Sequence, residues 1–89
     1  MAEEITPEKL AEELRKLKIE DLVLSTVTTL GQLTYGKLES KDFEQARLAI
    51  DALRALVPVL DGSVAGDVHR DFEQMVANLQ LAYAKAAAG

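Results

Sequence analysis

The sequence predicts an all-α fold, a small three-helix bundle-like domain with a short extra N-terminal helix, completed by oligomerisation. Three observations carry that prediction. The 48% apolar content comes mainly from Leu, Ala and Val, with two Phe, two Tyr and no Trp, a mixture that suits helices better than sheets. Apolar residues recur at steps of three and four along several stretches, the spacing of one helix face. No two segments read as paired strands, and a lone strand would leave its backbone groups without partners.

At 89 residues the chain is one domain, able to bury only about 60 to 65% of its unfolded surface. The absence of Cys and the single His exclude a disulfide staple, a thiolate nucleophile and a zinc site of three or four His or Cys ligands. A formal charge of −5 and an isoelectric point near 4.8 disfavour nucleic acid and anionic membranes as partners, since both reward a basic patch. The local cluster Arg15, Lys16 and Lys18 is interleaved with Glu12, Glu13, Glu20 and Asp21 and reads as a solvated helix face. Met1 is followed by Ala-Glu-Glu rather than a basic then apolar segment, so the expected location is cytoplasmic. Residues 1–6 are expected to be a flexible tail and residues 7–87 a single helical domain.

The first helix, over 7–18, starts at Thr6 as N-cap with Pro7 in the first helical position and Glu8 in the first turn. Leu10, Leu14 and Leu17 then share one face. "KIEDL" at 18–22 fits either a bend or a continuation.

The stretch "DLVLSTVTTLGQLTYG" carries no charge from Leu22 to Gly36. Its β-branched residues favour a strand by propensity, but no partner strand exists, and a helix over 22–35 places Val23, Val27, Leu30 and Leu33 on one stripe. As a helix this run is about 22 Å long, short of the roughly 30 Å of a bilayer core. Its hydroxyls can bond to carbonyls one turn back, which reconciles Thr with a buried helix. Gly36 is expected to end the helix and "YGKLESKD" to turn.

A helix over 41–60 is the clearest in the chain. Ser40 or Asp42 can cap it, Asp42 with Gln45 at capping-box spacing. Phe43, Ala46, Ile50, Leu53, Val57 and Leu60 form the core stripe, widened by Ala49 and Leu56. Leu48, Ala52, Ala55 and Val59 form a second apolar arc. Charge is confined to a ridge of Glu44, Arg47, Asp51 and Arg54, spaced to allow ion pairs. Pro58 should kink or end the helix and Gly62 should close its last turn. A last helix over 66–86, capped by Ser63 or Asp67, has Val68, Phe72, Met75, Leu79 and Ala82 or Tyr83 on its core stripe, with Leu81 off it.

Catalytic patterns are missing. His69, beside Asp67, Arg70, Asp71 and Glu73, reads as a surface histidine on a polar face, with no Ser or Cys nucleophile placed beside it. Asp51 reads as a structural carboxylate held by Arg47 and Arg54 or by a neighbouring helix end. The glycines at 31, 36, 62 and 66 form no phosphate loop or dinucleotide fingerprint. Adjacent carboxylates such as Glu3-Glu4 and Glu12-Glu13 diverge around a helix rather than converge on a metal. No catalytic, cofactor or metal residue is assigned.

"DFEQARLAIDALRALVPVLDG" followed by "FEQMVANLQLAYAK" resembles the small bacterial family catalogued as domain of unknown function eighteen forty-four. Its pattern falls here on Gln45, Ala46, Ile50, Asp51, Leu53, Gly62, Leu79 and Tyr83, without a gap between Asp42 and Tyr83, and the likeness covers residues 22–85. The family's Lys-Thr-x-Gly-Asn-Leu turn is replaced by Val59-Leu60-Asp61-Gly62-Ser63-Val64 after Pro58, so recognition through that turn in relatives does not carry over. The resemblance implies a fold and a bacterial, cytoplasmic setting but no reaction.

The expected function is a non-enzymatic interaction module that self-associates as a homodimer, with a further protein partner of unspecified identity. Val23, Val27, Leu30, Leu48, Ala52, Val59 and Leu81 are the candidate interaction residues, because they exceed what one small core can cover. The alternative is a monomeric bundle that binds a small hydrophobic ligand or a partner helix. A weaker third reading is an enzyme built on His69 with Asp71 or Glu73.

Overall fold

The computed structural model describes residues 6–89, which are mainly helical, without a strand among them. Four α-helices follow in order, α1 Pro7–Lys16, α2 Ile19–Glu39, α3 Phe43–Leu56 and α4 Gly66–Ala88, with a 3-10 turn at Val57–Leu60 between the last two. The tail expected over 1–6 lies outside the described residues except for Thr6.

Thr6 caps α1, its hydroxyl accepting from Lys9 N at 3.1 Å. Leu17 and Lys18 are both extended, so the 7–36 region is two helices and the bend at "KIEDL" is real. A difference appears at the end of α2, which runs through Gly36 to Glu39. The chain reverses instead at Lys41, whose φ is 60°. Asp42 N bonds Lys37 O at 2.9 Å and Lys41 N bonds Leu38 O at 3.1 Å, the paired bonds of a Schellman stop. A lysine occupies the position where glycine is usual, which is why Gly36 looked like the terminator.

Asp42 caps α3, accepting from Gln45 N at 3.4 Å. Pro58 converts the helix end to a 3-10 turn, as expected from its missing donor. Gly62 then takes a φ of 81°, conformational space open to glycine. Neither Ser63 nor Asp67 caps α4; Ala65 holds the cap position without a side-chain bond. Asp67 lies one residue inside the helix and accepts from Val68 N at 3.0 Å, where its charge still favours the helix N-terminus.

Helices α2, α3 and α4 pack on one another around Val27, Ile50, Leu53, Val57, Leu60, Val76 and Leu79. Leu53, Leu60 and Leu79 are fully buried, each contributing about 1.5–3 kcal/mol by leaving water. Phe43 at the start of α3 meets Tyr83 near the end of α4 edge to face, ring centroids 6.2 Å apart, which fixes these helices antiparallel. The α3 stripe is as expected, although Phe43 is only half-buried. On α2 the stripe is rotated, with Val27, Gly31 and Thr34 buried and Leu33 exposed. The Thr hydroxyls do bond back, Thr34 Oγ1 to Leu30 O at 2.6 Å, Thr26 Oγ1 to Leu22 O at 2.8 Å and Thr28 Oγ1 to Leu24 O at 3.0 Å.

Helix α1 stands apart. It buries no residue and packs against no other helix, leaving Leu10, Leu14 and Leu17 each about half exposed. The chain is correspondingly open, with a radius of gyration of 16.5 Å against about 12 Å for a compact chain of this length. Its surface of 6670 Å² exceeds by roughly 1,500 Å² that of a compact monomer of its mass.

Candidate functional site

An apolar concavity lies between α2 and α3. Leu30, Leu33 and Lys37 line one wall and Gln45, Leu48, Ala49 and Ala52 the other, around a volume of about 160 Å³. It forms because α3 carries two apolar arcs. The first, through Ile50 and Leu53, enters the core, and the second, through Leu48 and Ala52, faces away from it. On α2, residues at 100° steps place Ile19, Leu22, Leu30 and Leu33 on a stripe about a quarter turn from the buried one. Ile19, Leu22 and Leu33 are more than half exposed, as is Leu48 at 63%, so the groove continues along α2 as an uncovered apolar strip.

The candidate interaction residues divide accordingly. Leu30, Leu48 and Ala52 come together in the groove. Val23 is half-buried against the core, and Val27 is wholly inside it, so Val27 has no surface to offer a partner. Val59 and Leu81 are more than half exposed but do not line the groove. Leu33 and Ala49 belong to the site although the sequence placed both on core stripes. Leu33 stands three residues after Leu30, and Ala49 four after Gln45 and three before Ala52, and that spacing was the available signal.

Other sites are less complete. Between α3 and α4 a depression of about 270 Å³ is bordered by Arg47, Ile50, Asp51, Arg54, Gln80 and Tyr83. The expected clamp of Asp51 by Arg47 and Arg54 is not formed; the described ion pairs are Lys16–Glu13, Lys37–Asp42 and His69–Glu73. The depression along α1, about 450 Å³, is bounded by that one helix among the described residues.

His69 differs from expectation. Its side chain is only 16% exposed, Nδ1 lies 3.2 Å from Glu73 Oε1, and Nε2 is buried without a hydrogen-bond partner. It sits on the helical arc of Val76, which faces the core, and the charged neighbours in sequence obscured that. Asp71, the other carboxylate considered with it, is exposed. Among the described residues no group of three His, Cys, Asp or Glu could hold a metal, and no helix is long and apolar enough to cross a membrane.

The sequence profile of the family described as "Domain of unknown function (DUF1844)" matches residues 10–85. The chain belongs to this family. The match reaches back from the α2–α4 bundle across the Leu17–Lys18 bend to Leu10, so the DUF1844 pattern includes the unpacked leucine face of α1 as well as the groove. No curated protein and no solved structure matches the chain.

Proposed function

We propose that this DUF1844 member is a non-enzymatic interaction module of the bacterial cytoplasm that self-associates, as a dimer, through the groove face of α2 and α3. The observation that supports this reading is surplus surface. Half of the roughly 1,500 Å² excess over a compact monomer would match the ~800 Å² that each partner contributes to a standard interface. That surface is apolar where it matters, at Leu22, Leu33 and Leu48, and acidic elsewhere, consistent with a protein partner rather than nucleic acid or an anionic membrane.

A second reading is a monomeric bundle that takes a small hydrophobic ligand or a partner helix in the same groove. The groove's 160 Å³ falls below the 300–1,000 Å³ usual for small-molecule pockets, which favours a helix or a second copy over a small ligand. Catalysis has the least support, since His69 and Glu73 face no placed nucleophile.

Sedimentation equilibrium at micromolar concentration tests the proposal. A species of twice the 9.7 kDa chain mass is expected. A monomer throughout would overturn it, and native mass spectrometry for co-purifying ligand would then test the second reading.

A further inference from the structure

Two uncovered apolar surfaces of this chain match each other. One is the leucine face of α1, and the other is the groove between α2 and α3. We infer that in the dimer α1 of one copy lies in the α2/α3 groove of the other, with Leu10, Leu14 and Leu17 against Leu30, Leu33 and Leu48. This rests on the self-association proposed above and names the element exchanged.

Reach decides between the chain's own α1 and its partner's. The ten residues of α1 span about 15 Å at 1.5 Å per residue. Folded back along α2 from the two-residue connection at Leu17 and Lys18, α1 would bring Pro7 only to the level of Leu30, ~16 Å from Ile19. The groove runs on to the level of Lys37, about 27 Å from Ile19. An intramolecular α1 therefore covers Ile19 and Leu22 and leaves Leu33 and Leu48 open, whereas a partner's α1 carries no such tether.

The size is also adequate: the half-exposed Leu10, Leu14, Leu17, Leu33 and Leu48 would be covered twice over in a symmetric dimer, because an isologous exchange makes each contact in duplicate.

The chain has no cysteine, so disulfide trapping reads the contact directly. A chain carrying Leu14→Cys is mixed with one carrying Leu48→Cys under mild oxidation. A mixed disulfide dominant over both like pairs is expected, together with at least a tenfold weaker dimer for Leu14→Glu and for Leu48→Glu in sedimentation. Both positions are exposed in the single chain, and circular dichroism checks that each variant is folded. A dimer weakened by Leu48→Glu but not by Leu14→Glu, with no mixed disulfide, would overturn the exchange while leaving self-association standing. An intramolecular disulfide in the doubly substituted chain would overturn it as well. A monomeric wild type would remove both readings.

Discussion

A Cβ placed on Gly31 of α2 would stand 2.7 Å from the Met75 sulfur and 3.1 Å from its methyl carbon on α4. Gly31 is buried within α2, and the missing side chain is what lets Met75 fill that space. The obstacle is the far end of a flexible thioether that can rotate away. Gly31→Ala is therefore expected to stay within about 1 kcal/mol of the native chain, since helix propensity improves by roughly 1 kcal/mol while Met75 repacks. Gly31→Leu has no such escape and should lose 1–3 kcal/mol or more. Urea midpoints of the two variants check the contrast; equal stability for both would refute the close approach.

Thr34 is the buried polar residue of the core, and its hydroxyl is satisfied within its own helix at Leu30 O. The carbonyl it bonds is already an acceptor in the helix ladder. Replacing the hydroxyl by a methyl group should therefore cost little, within about 1 kcal/mol for Thr34→Val. Thr34→Asp would bury a carboxylate without a partner and should unfold the domain at neutral pH. Thermal melts followed by circular dichroism separate these outcomes.

The contrast between α2 and α3 explains what the sequence made legible. Along α3 the charged ridge of Glu44, Arg47, Asp51 and Arg54 marks the solvent side, so the positions of Ile50 and Leu53 follow by phase. Along α2 no charge occurs between Leu22 and Gly36, and the uncharged Ser25, Thr29 and Gln32, all exposed, mark the solvent side less sharply than a charged ridge does. The core then selected Val27, Gly31 and Thr34 for close approach to neighbouring helices, turning Leu33 outward. That rotation built half of the groove. The other half, Leu48 and Ala52, was visible as an apolar arc opposite the core stripe. What no periodicity could tell is that α1 leaves the bundle, because its leucines have proper helical spacing whether or not anything covers them.

Lys41 holds a φ of 60° with an intact Cβ, a conformation that costs an L-residue about 1–2 kcal/mol relative to glycine. Lys41→Gly keeps the same two reversing hydrogen bonds and removes that cost, partly offset by the greater freedom of glycine when unfolded. A net gain of roughly 0.5–1 kcal/mol is expected, a rise of a few degrees in Tm for a domain of this size. A lower Tm would show that Lys41 contributes through its side chain.

At Asp42 two roles coincide, the cap of α3 through Gln45 N and an ion pair with Lys37 at 3.8 Å. Both side chains of the pair are about 40% exposed, so its contribution should be small. Asp42→Asn keeps the cap and loses the charge, and should change stability by only tenths of a kcal/mol. Asp42→Ala loses both and should cost about 1 kcal/mol. A denaturation series in which Asn and Ala are equally harmful would assign the stabilisation to the ion pair instead.

His69 tests whether the molecule is free of catalysis. Its buried Nε2 has no partner, and leaving such a group unsatisfied costs about 1–3 kcal/mol. The Nδ1 contact with Glu73 returns little, because that carboxylate is 61% exposed. His69→Leu should therefore fold at least as stably as the native chain, checked by thermal melting. A residue whose removal stabilises the fold is a candidate for another purpose, and chemistry with Glu73 is the one to test. If His69 serves chemistry with Glu73, then His69→Gln will alter a metabolite in cells or lysate. If the protein is the non-enzymatic module proposed above, metabolite profiles of His69→Gln and native cells will agree and the dimer will persist, because His69 lies on α4 and lines neither the groove nor the leucine face of α1.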